Sequence, residues 1–269
     1  MTQEIEIKVE GGVQVIRFLR ADKKNAFTGP MYNAMSEALD GAERNDAIGV
    51  TMFIGSGGVF SAGNDINDFM RRAQAGATSP EAAKGIPAPS LDFIRRLPKA
   101  TKPMVAAVDG LAIGVGTTML LHCDLVYATP AASLRTPFLD LGLVPEAGSS
   151  LLGPERMGHA RAFELLILGE PFSAERALQA GIVNAVVPAD QLEATALKAA
   201  KRLAAKPREA LLTARRLMRQ DPGRIAAMID AESKAYQTLM RSPEAKEAFT
   251  AFLEKRPPDF AKARRQAKG

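Results

Sequence analysis

The sequence predicts an α/β fold. Two observations carry this expectation: through the first half of the chain short apolar strands alternate with helical stretches, and beyond Gly148 apolar residues recur mostly at helical spacing. Size is a third. A chain of 269 residues, 46% hydrophobic and 24% charged, suffices for a sizeable core in one large domain with a helical appendage.

The segment from Ile5 to Leu19 alternates on both sides of Gly11-Gly12 (Ile5, Ile7, Val9, then Val13, Val15, Phe18), so it reads as a hairpin with one buried face. Thr28-Gly29-Pro30 starts a helix through Met31, Met35, Ala38 and Leu39, and Val50 to Ile54 is a short apolar strand ending in Gly55-Ser56-Gly57-Gly58. From Arg71 to Pro89 the composition turns to Ala, Gly, Ser and Pro without periodicity, the pattern of a mobile loop of the kind that flanks ligand sites. Leu91 to Leu97 then reads as helix, Pro103 to Val108 as a buried strand, Gly114 to Leu121 as a short helix and Asp124 to Tyr127 as a strand. Helical patterns follow over Arg161 to Leu168, Ala174 to Ala180, Gln191 to Ala204, Pro207 to Met218, Arg224 to Met240 and Pro243 to Leu253, with one brief strand, Ile182 to Val187, between them.

Several function classes lose support on composition. No apolar run approaches the roughly 18 to 20 residues of a membrane helix, and the opening Met1-Thr2-Gln3-Glu4 lacks a signal-peptide pattern, so a cytoplasmic location is expected. The single cysteine, Cys123, cannot form an intramolecular disulfide, and with only His122 and His159 beside it no metal-ligand cluster of usual spacing exists. The net charge of +5 owes much to Arg215, Arg216, Arg219, Lys255, Arg256, Lys262, Arg264, Arg265 and Lys268. Such a run usually marks solvated helix faces, and without a basic recognition motif rich in aromatics it does not support a nucleic-acid partner.

Two segments place flexible backbone at strand ends. One is Gly55 to Ile66 (Gly-Ser-Gly-Gly-Val-Phe-Ser-Ala-Gly-Asn-Asp-Ile), and the other is Val108 to Thr118, where a strand feeds Gly110, Gly114 and Gly116 and then a helix whose first amides have no intrahelical acceptor. Neither is a phosphate-binding signature: Met119 stands where a dinucleotide fingerprint needs its third glycine, and no Gly-Lys-Ser/Thr ending is present.

Taken together with later blocks, these segments resemble the crotonase family of enoyl-CoA hydratases and isomerases. The resemblance rests on Phe60-Ser-Ala-Gly-Asn-Asp-Ile-Asn-Asp-Phe69, Gly110-Leu-Ala-Ile-Gly-Val-Gly116, Cys123-Asp-Leu-Val-Tyr-Ala128, Leu141-Gly-Leu-Val-Pro-Glu-Ala-Gly148, Ala162 to Gly169, Ala180-Gly-Ile-Val-Asn184 and Ala251 to Arg256. It implies a spiral of strand-strand-helix repeats over residues 1–190 that holds the CoA and active sites. It also implies a helical trimerisation region over 191–269, with trimers that often pair into hexamers, and an acyl-CoA thioester as substrate. Coenzyme A would be part of that substrate, with no cofactor bound permanently.

The same resemblance implies an oxyanion hole formed by the backbone amides of Asn64 and Val115, each such donor being worth about 3 to 4 kcal/mol. The positions of a hydratase's two glutamates fall on Thr118 and Phe138, neither of which can take a proton. Glu146 instead is similar to the catalytic base of peroxisomal-type 3,2-enoyl-CoA isomerases, where one carboxylate moves a proton from C2 to C4. Local sequence alone also allows Glu146 to be a first-turn glutamate facing a helix dipole, which would lower its pKa while an apolar pocket raised it. By resemblance, Ala62 lies at the adenine site, Lys23 or Lys24 near the pyrophosphate and Lys255 within reach of CoA, although such lysines also read as solvated charges. Asp65 reads as a loop cap, Asp124 as a partner for backbone groups, and His122 as structural. The rival readings are a hydratase or another enolate chemistry, such as racemisation or thioester cleavage, with Asp68 or Asp140 as second acid, and an RNA-binding scaffold.

Overall fold

The computed structural model describes residues 2–68, 88–219 and 221–266. In chain order the elements are β1 (Ile5–Glu10), β2 (Val13–Phe18), α1 (Gly29–Arg44), β3 (Val50–Ile54), α2 (Pro89–Arg96), β4 (Met104–Val108), β5 (Leu111–Ile113), α3 (Val115–Thr118), β6 (Leu125–Ala128) and β7 (Ser133–Arg135). There follow α4 (Ser149–Met157), α5 (His159–Phe163), β8 (Phe172–Ser173), α6 (Ala174–Gln179), β9 (Ala185–Val186), α7 (Leu192–Ala204), α8 (Arg208–Met218), α9 (Pro222–Leu239), α10 (Pro243–Leu253) and α11 (Phe260–Gln266). Most of the Arg71 to Pro89 segment lies outside the described residues.

The hairpin forms because Gly11 and Gly12 both adopt positive φ, +55° and +77°, which lets Glu10 pair with Val13 across a two-residue turn. Helix α1 starts where the cap predicts: the Thr28 hydroxyl accepts from the Met31 amide, and Met31, Met35, Ala38, Leu39 and Ala42 form its buried stripe. The main sheet runs β1-β2-β3-β4-β6-β9, antiparallel between the first two strands and parallel between the others. β3 and β4 are buried at every position, as the continuous apolar runs require of strands covered on both faces.

Alternation along these strands divides the core in two. Ile16, Phe18, Phe53, Ala106 and Val108 face the larger cluster, whereas Val13, Val15, Val50, Met52, Ile54, Val105 and Ala107 face Leu192, Ala196 and Ala200 of α7. Ile225 and Ile229 of α9 enter the larger cluster. The helical last third is therefore less of an appendage than its sequence suggests: α7 closes one face of the sheet and α9 helps fill the other core.

A second sheet, β5-β7-β8, has strands of only two or three residues, too short to leave a periodic signal. The predicted strand from Ile182 to Val187 likewise shrinks to the two residues of β9. Among the described residues, no helix is long and apolar enough to cross a membrane.

Candidate active site

The loop before Asn64 is stitched to β5. The Ser61 amide donates to Leu111 O and the Ile113 amide to Ser61 O, both at 2.9 Å. The approach is close enough to demand glycine: a Cβ on Gly63, whose φ is +83°, would lie 2.6 Å from Ile113 O. A Cβ on Gly116 would lie 3.0 Å from Ser61 O. The two glycine-rich segments are thereby held side by side, which sets Asn64 near the start of α3.

Among the described residues, neither candidate oxyanion donor has an acceptor. Gly114, at φ +56°, turns the chain into α3 and its carbonyl accepts from the Thr117 and Thr118 amides, leaving the Val115 amide in the first turn without an acceptor. Neither that amide nor the Asn64 amide donates to another described residue. Asn64 is fixed from outside by a bridge to Phe27 and by the Tyr32 hydroxyl, which donates to Asn64 Oδ1 at 2.6 Å. Edge-to-face packing of Phe18 on Phe27 and Phe60, at centroid distances of 4.8 and 5.4 Å, anchors both flanks.

Two further residues shape this loop. Asn25, buried and at φ +51°, donates from Nδ2 to Ser56 O and Val59 O, a role the sequence reading missed. Asp65 caps the next turn by accepting from the Asn67 and Asp68 amides and pairs with Arg20 at 2.9 Å, in accord with its reading as a cap. Burial opposes its charge, yet those amides and Arg20 together hold its carboxyl below the usual range.

Glu146 sits just before a turn in which Ala147 and Gly148 both take positive φ, +60° and +71°, ahead of α4. Thr118, at the position of a hydratase's first glutamate, donates its hydroxyl to Glu146 Oε1. Oε2 is sealed from solvent and has no hydrogen-bond partner among the described residues, although the residue as a whole keeps some accessible surface. Burial pushes the carboxyl up to about 8; the Thr118 hydrogen bond opposes this and the nearby charge of Glu232 adds to it. An orphaned buried carboxylate oxygen with a raised pKa is what a proton-transfer base requires before substrate arrives.

The surroundings explain the raised value. α4 does open beside Glu146, but its leading amides are taken by Glu232 of α9, whose carboxylate accepts from Gly148 N at 2.6 Å and Ser150 N at 2.9 Å. His122 Nε2 donates to Ala147 O at 2.7 Å, and burial lowers the ring's pKa to about 3, so it is neutral and structural, as expected. Glu232 escaped the sequence reading, yet the 225, 229, 232, 236 spacing puts it on the apolar face of α9 with Ile225 and Ile229, where an acid demands an explanation.

The remaining candidates divide. Phe138 is buried in the larger core cluster. Ala62 and Lys24 meet, since the Ala62 amide donates to Lys24 O at 2.8 Å, and the exposed Lys24 adopts φ +53°. Lys255, at φ +55° just beyond α10, is exposed, and no hydrogen bond or ion pair among the described residues links it to Ala62 or Lys24. Asp68 accepts from the Gly29 amide and Asp140 pairs with Arg135, and the carboxylate whose charge acts on Glu146 is Glu232 instead. Cys123 is buried, with its thiol pushed up to about 12.

Asp124 satisfies the Met104 amide, as expected, and also pairs through both oxygens with Arg215. Arg215 is buried and donates further to Ala100 O and Thr101 O, and Arg219 reaches Ala100 O as well. The expectation of solvated basic helix faces is thus corrected for Arg215 and for Arg219 just beyond α8, whereas Arg216 between them is exposed as expected.

The sequence pattern of the family described as enoyl-CoA hydratase/isomerase matches residues 8–264. The 1,2-epoxyphenylacetyl-CoA isomerase of Escherichia coli (strain K12) is 33% identical over 261 residues, covering 97% of this chain and 99% of the relative. Enoyl-CoA delta isomerase 2 of Rattus norvegicus is 33% identical over 254 residues, 94% of this chain and 64% of the longer relative. The crystal structure of an enoyl-CoA hydratase/isomerase from Pseudoalteromonas atlantica T6c superposes with a TM-score of 0.88 at 35% identity, covering 96% of this chain and all of the other. Together with the stitched glycine loops, these matches establish that the chain belongs to the enoyl-CoA hydratase/isomerase family.

Proposed function

We propose that this acyl-CoA enzyme converts 3-enoyl-CoA to trans-2-enoyl-CoA. The thioester oxygen lies at the Asn64 and Val115 amides. Ionised Glu146 removes a C2 proton, and the electron pair moves through the thioester to give a dienolate whose negative oxygen those amides stabilise. Protonated Glu146 then returns the proton at C4, the double bond shifts from C3–C4 to C2–C3, and the base is regenerated. No water or cofactor is consumed.

The observation that supports this reading best is the chemistry around Glu146. One sealed carboxylate faces a threonine hydroxyl, and the other carboxylate nearby, Glu232, has both oxygens committed to backbone amides. Glu232 is also the one observation that favours hydration, since a second acid beside Glu146 is what a hydratase uses. In that chemistry it would have to release α4 before it could activate water. Ala62 and Lys24 are proposed to bind the CoA adenine and pyrophosphate, with Lys255 contributing to the same coenzyme.

The test offers purified wild type and Glu146→Gln both 3-enoyl-CoA and trans-2-enoyl-CoA of several chain lengths in ¹⁸O-water. A shifted double bond without ¹⁸O, abolished in the variant, supports the isomerase. Rapid ¹⁸O incorporation, or an unaffected variant, sinks it.

A further inference from the structure

The turn carrying Glu146 is clamped by groups that no catalytic step uses. Gly148 sits hard against α9, where a Cβ would lie 3.0 Å from Ile225 Cγ2. From that helix Glu232 reaches across 84 residues of sequence to the Gly148 and Ser150 amides. The other side of the turn is held at Ala147 O by His122. A buried acid on an apolar helix face is costly unless it serves something, and Glu232 is 6% exposed.

The amides at a helix start carry partial positive charge, and an adjacent carboxylate left free to use them would be stabilised in its ionised form. Such stabilisation would make Glu146 a weaker base. Glu232 occupies those amides first and adds a like charge of its own. The titratable and charged groups acting on Glu146 among the described residues are Glu232 and Tyr236, both from α9, while the ring of His122 is uncharged.

We propose that Glu232 is a positioning residue for Glu146: it fixes the turn that presents the base and withholds the positive end of α4 from it. The proposal rests on Glu146 being the base. Replacing Glu232 by Gln removes the charge and one acceptor, and both changes act in one direction, favouring ionised Glu146.

The experiment follows the Glu146 carboxyl directly, by infrared difference titration of wild type and Glu232→Gln against Glu146→Gln as blank, in parallel with the pH dependence of kcat/KM on 3-enoyl-CoA. The wild-type midpoint is expected near 8. In Glu232→Gln the titration midpoint and the rising limb of kcat/KM both move down by about one pH unit, and kcat at the plateau falls while KM changes little. An unmoved titration with a loss of activity uniform across pH reduces Glu232 to a fold-stabilising residue and overturns the proposal. A titration that shifts as stated in a protein that isomerises nothing leaves the positioning role standing and removes the assigned reaction. If Glu232→Gln does not fold, Glu232→Met, of similar volume, is carried through the same titration with the same expectation.

Discussion

Thr118→Val isolates the interaction that keeps Glu146 usable near neutrality. Thr118 is fully buried, and its hydroxyl donates to Glu146 Oε1, so the substitution exchanges a donor for a methyl group at nearly constant volume. A hydrogen bond to an ionised acceptor contributes about 1.5 to 3 kcal/mol, which corresponds to roughly one to two pH units. The bond favours the charged form, so its loss raises a carboxyl that already titrates near 8. At pH 7 the ionised fraction of wild type is about one-tenth, and the variant loses a further factor of about 10 to 100. The assay is kcat/KM for 3-enoyl-CoA isomerisation between pH 6 and 10, with Thr118→Ser as control. We expect wild type to rise toward pH 8, Thr118→Val to fall about 10- to 100-fold at pH 7 and to recover toward wild type at pH 10, and Thr118→Ser to stay close to wild type. A loss that is the same at every pH, with the midpoint unmoved, would refute the reasoning and leave the hydroxyl a packing role only.

Further outcomes test other parts of the site. Because Glu146 titrates near 8 when folded and near 4.5 when unfolded, the folded state holds a proton that the unfolded chain releases between those values, and stability falls as pH rises through that window. Glu146→Gln removes the dependence, so urea unfolding finds it more stable than wild type at pH 9, by about 5 kcal/mol, and little different near pH 4.5. Gly63→Ala drives a Cβ into Ile113 O and separates the Asn64 and Val115 amides: kcat is expected to drop by about 10²-fold or more with circular dichroism unchanged, and undiminished activity would show that the amides do not act together. The family resemblance implies a trimer or a pair of trimers, and Leu217 and Met218 on α8, 78% and 87% exposed, are apolar surface such an assembly would cover; light scattering is expected to find it, and a monomer would contradict it.

What could be read in advance follows the range of the interactions. The Gly11-Gly12 turn, the Thr28 cap and the runs that became β3 and β4 are written in neighbouring residues, and the structure places them within a residue or two of the sequence reading. Glu146, Asn64 and Val115 came from blocks of sequence whose order and spacing are diagnostic even though the atoms that meet are far apart in the chain. β5, β7 and β8 were invisible because two or three residues cannot show a period, yet β5 is the element to which the Asn64 loop is sewn.

The deeper gap concerns how the Glu146 carboxyl is tuned. Sequence posed the question correctly, as a helix start lowering the pKa of Glu146 against a pocket raising it, but the answer depended on who takes the helix amides. Glu232 takes them from a helix 84 residues away, and the Thr118 hydroxyl, which favours the charged form, comes from a third segment. Neither pairing has a local signature. What the sequence does carry is the anomaly of an acid on the apolar stripe of α9, and a buried carboxylate there must find donors somewhere. An acidic residue breaking an otherwise apolar helical face is therefore worth matching to uncapped helix starts elsewhere in the chain. Here Gly148-Ser149-Ser150, a start with no side-chain cap of its own, is the uncapped partner it finds.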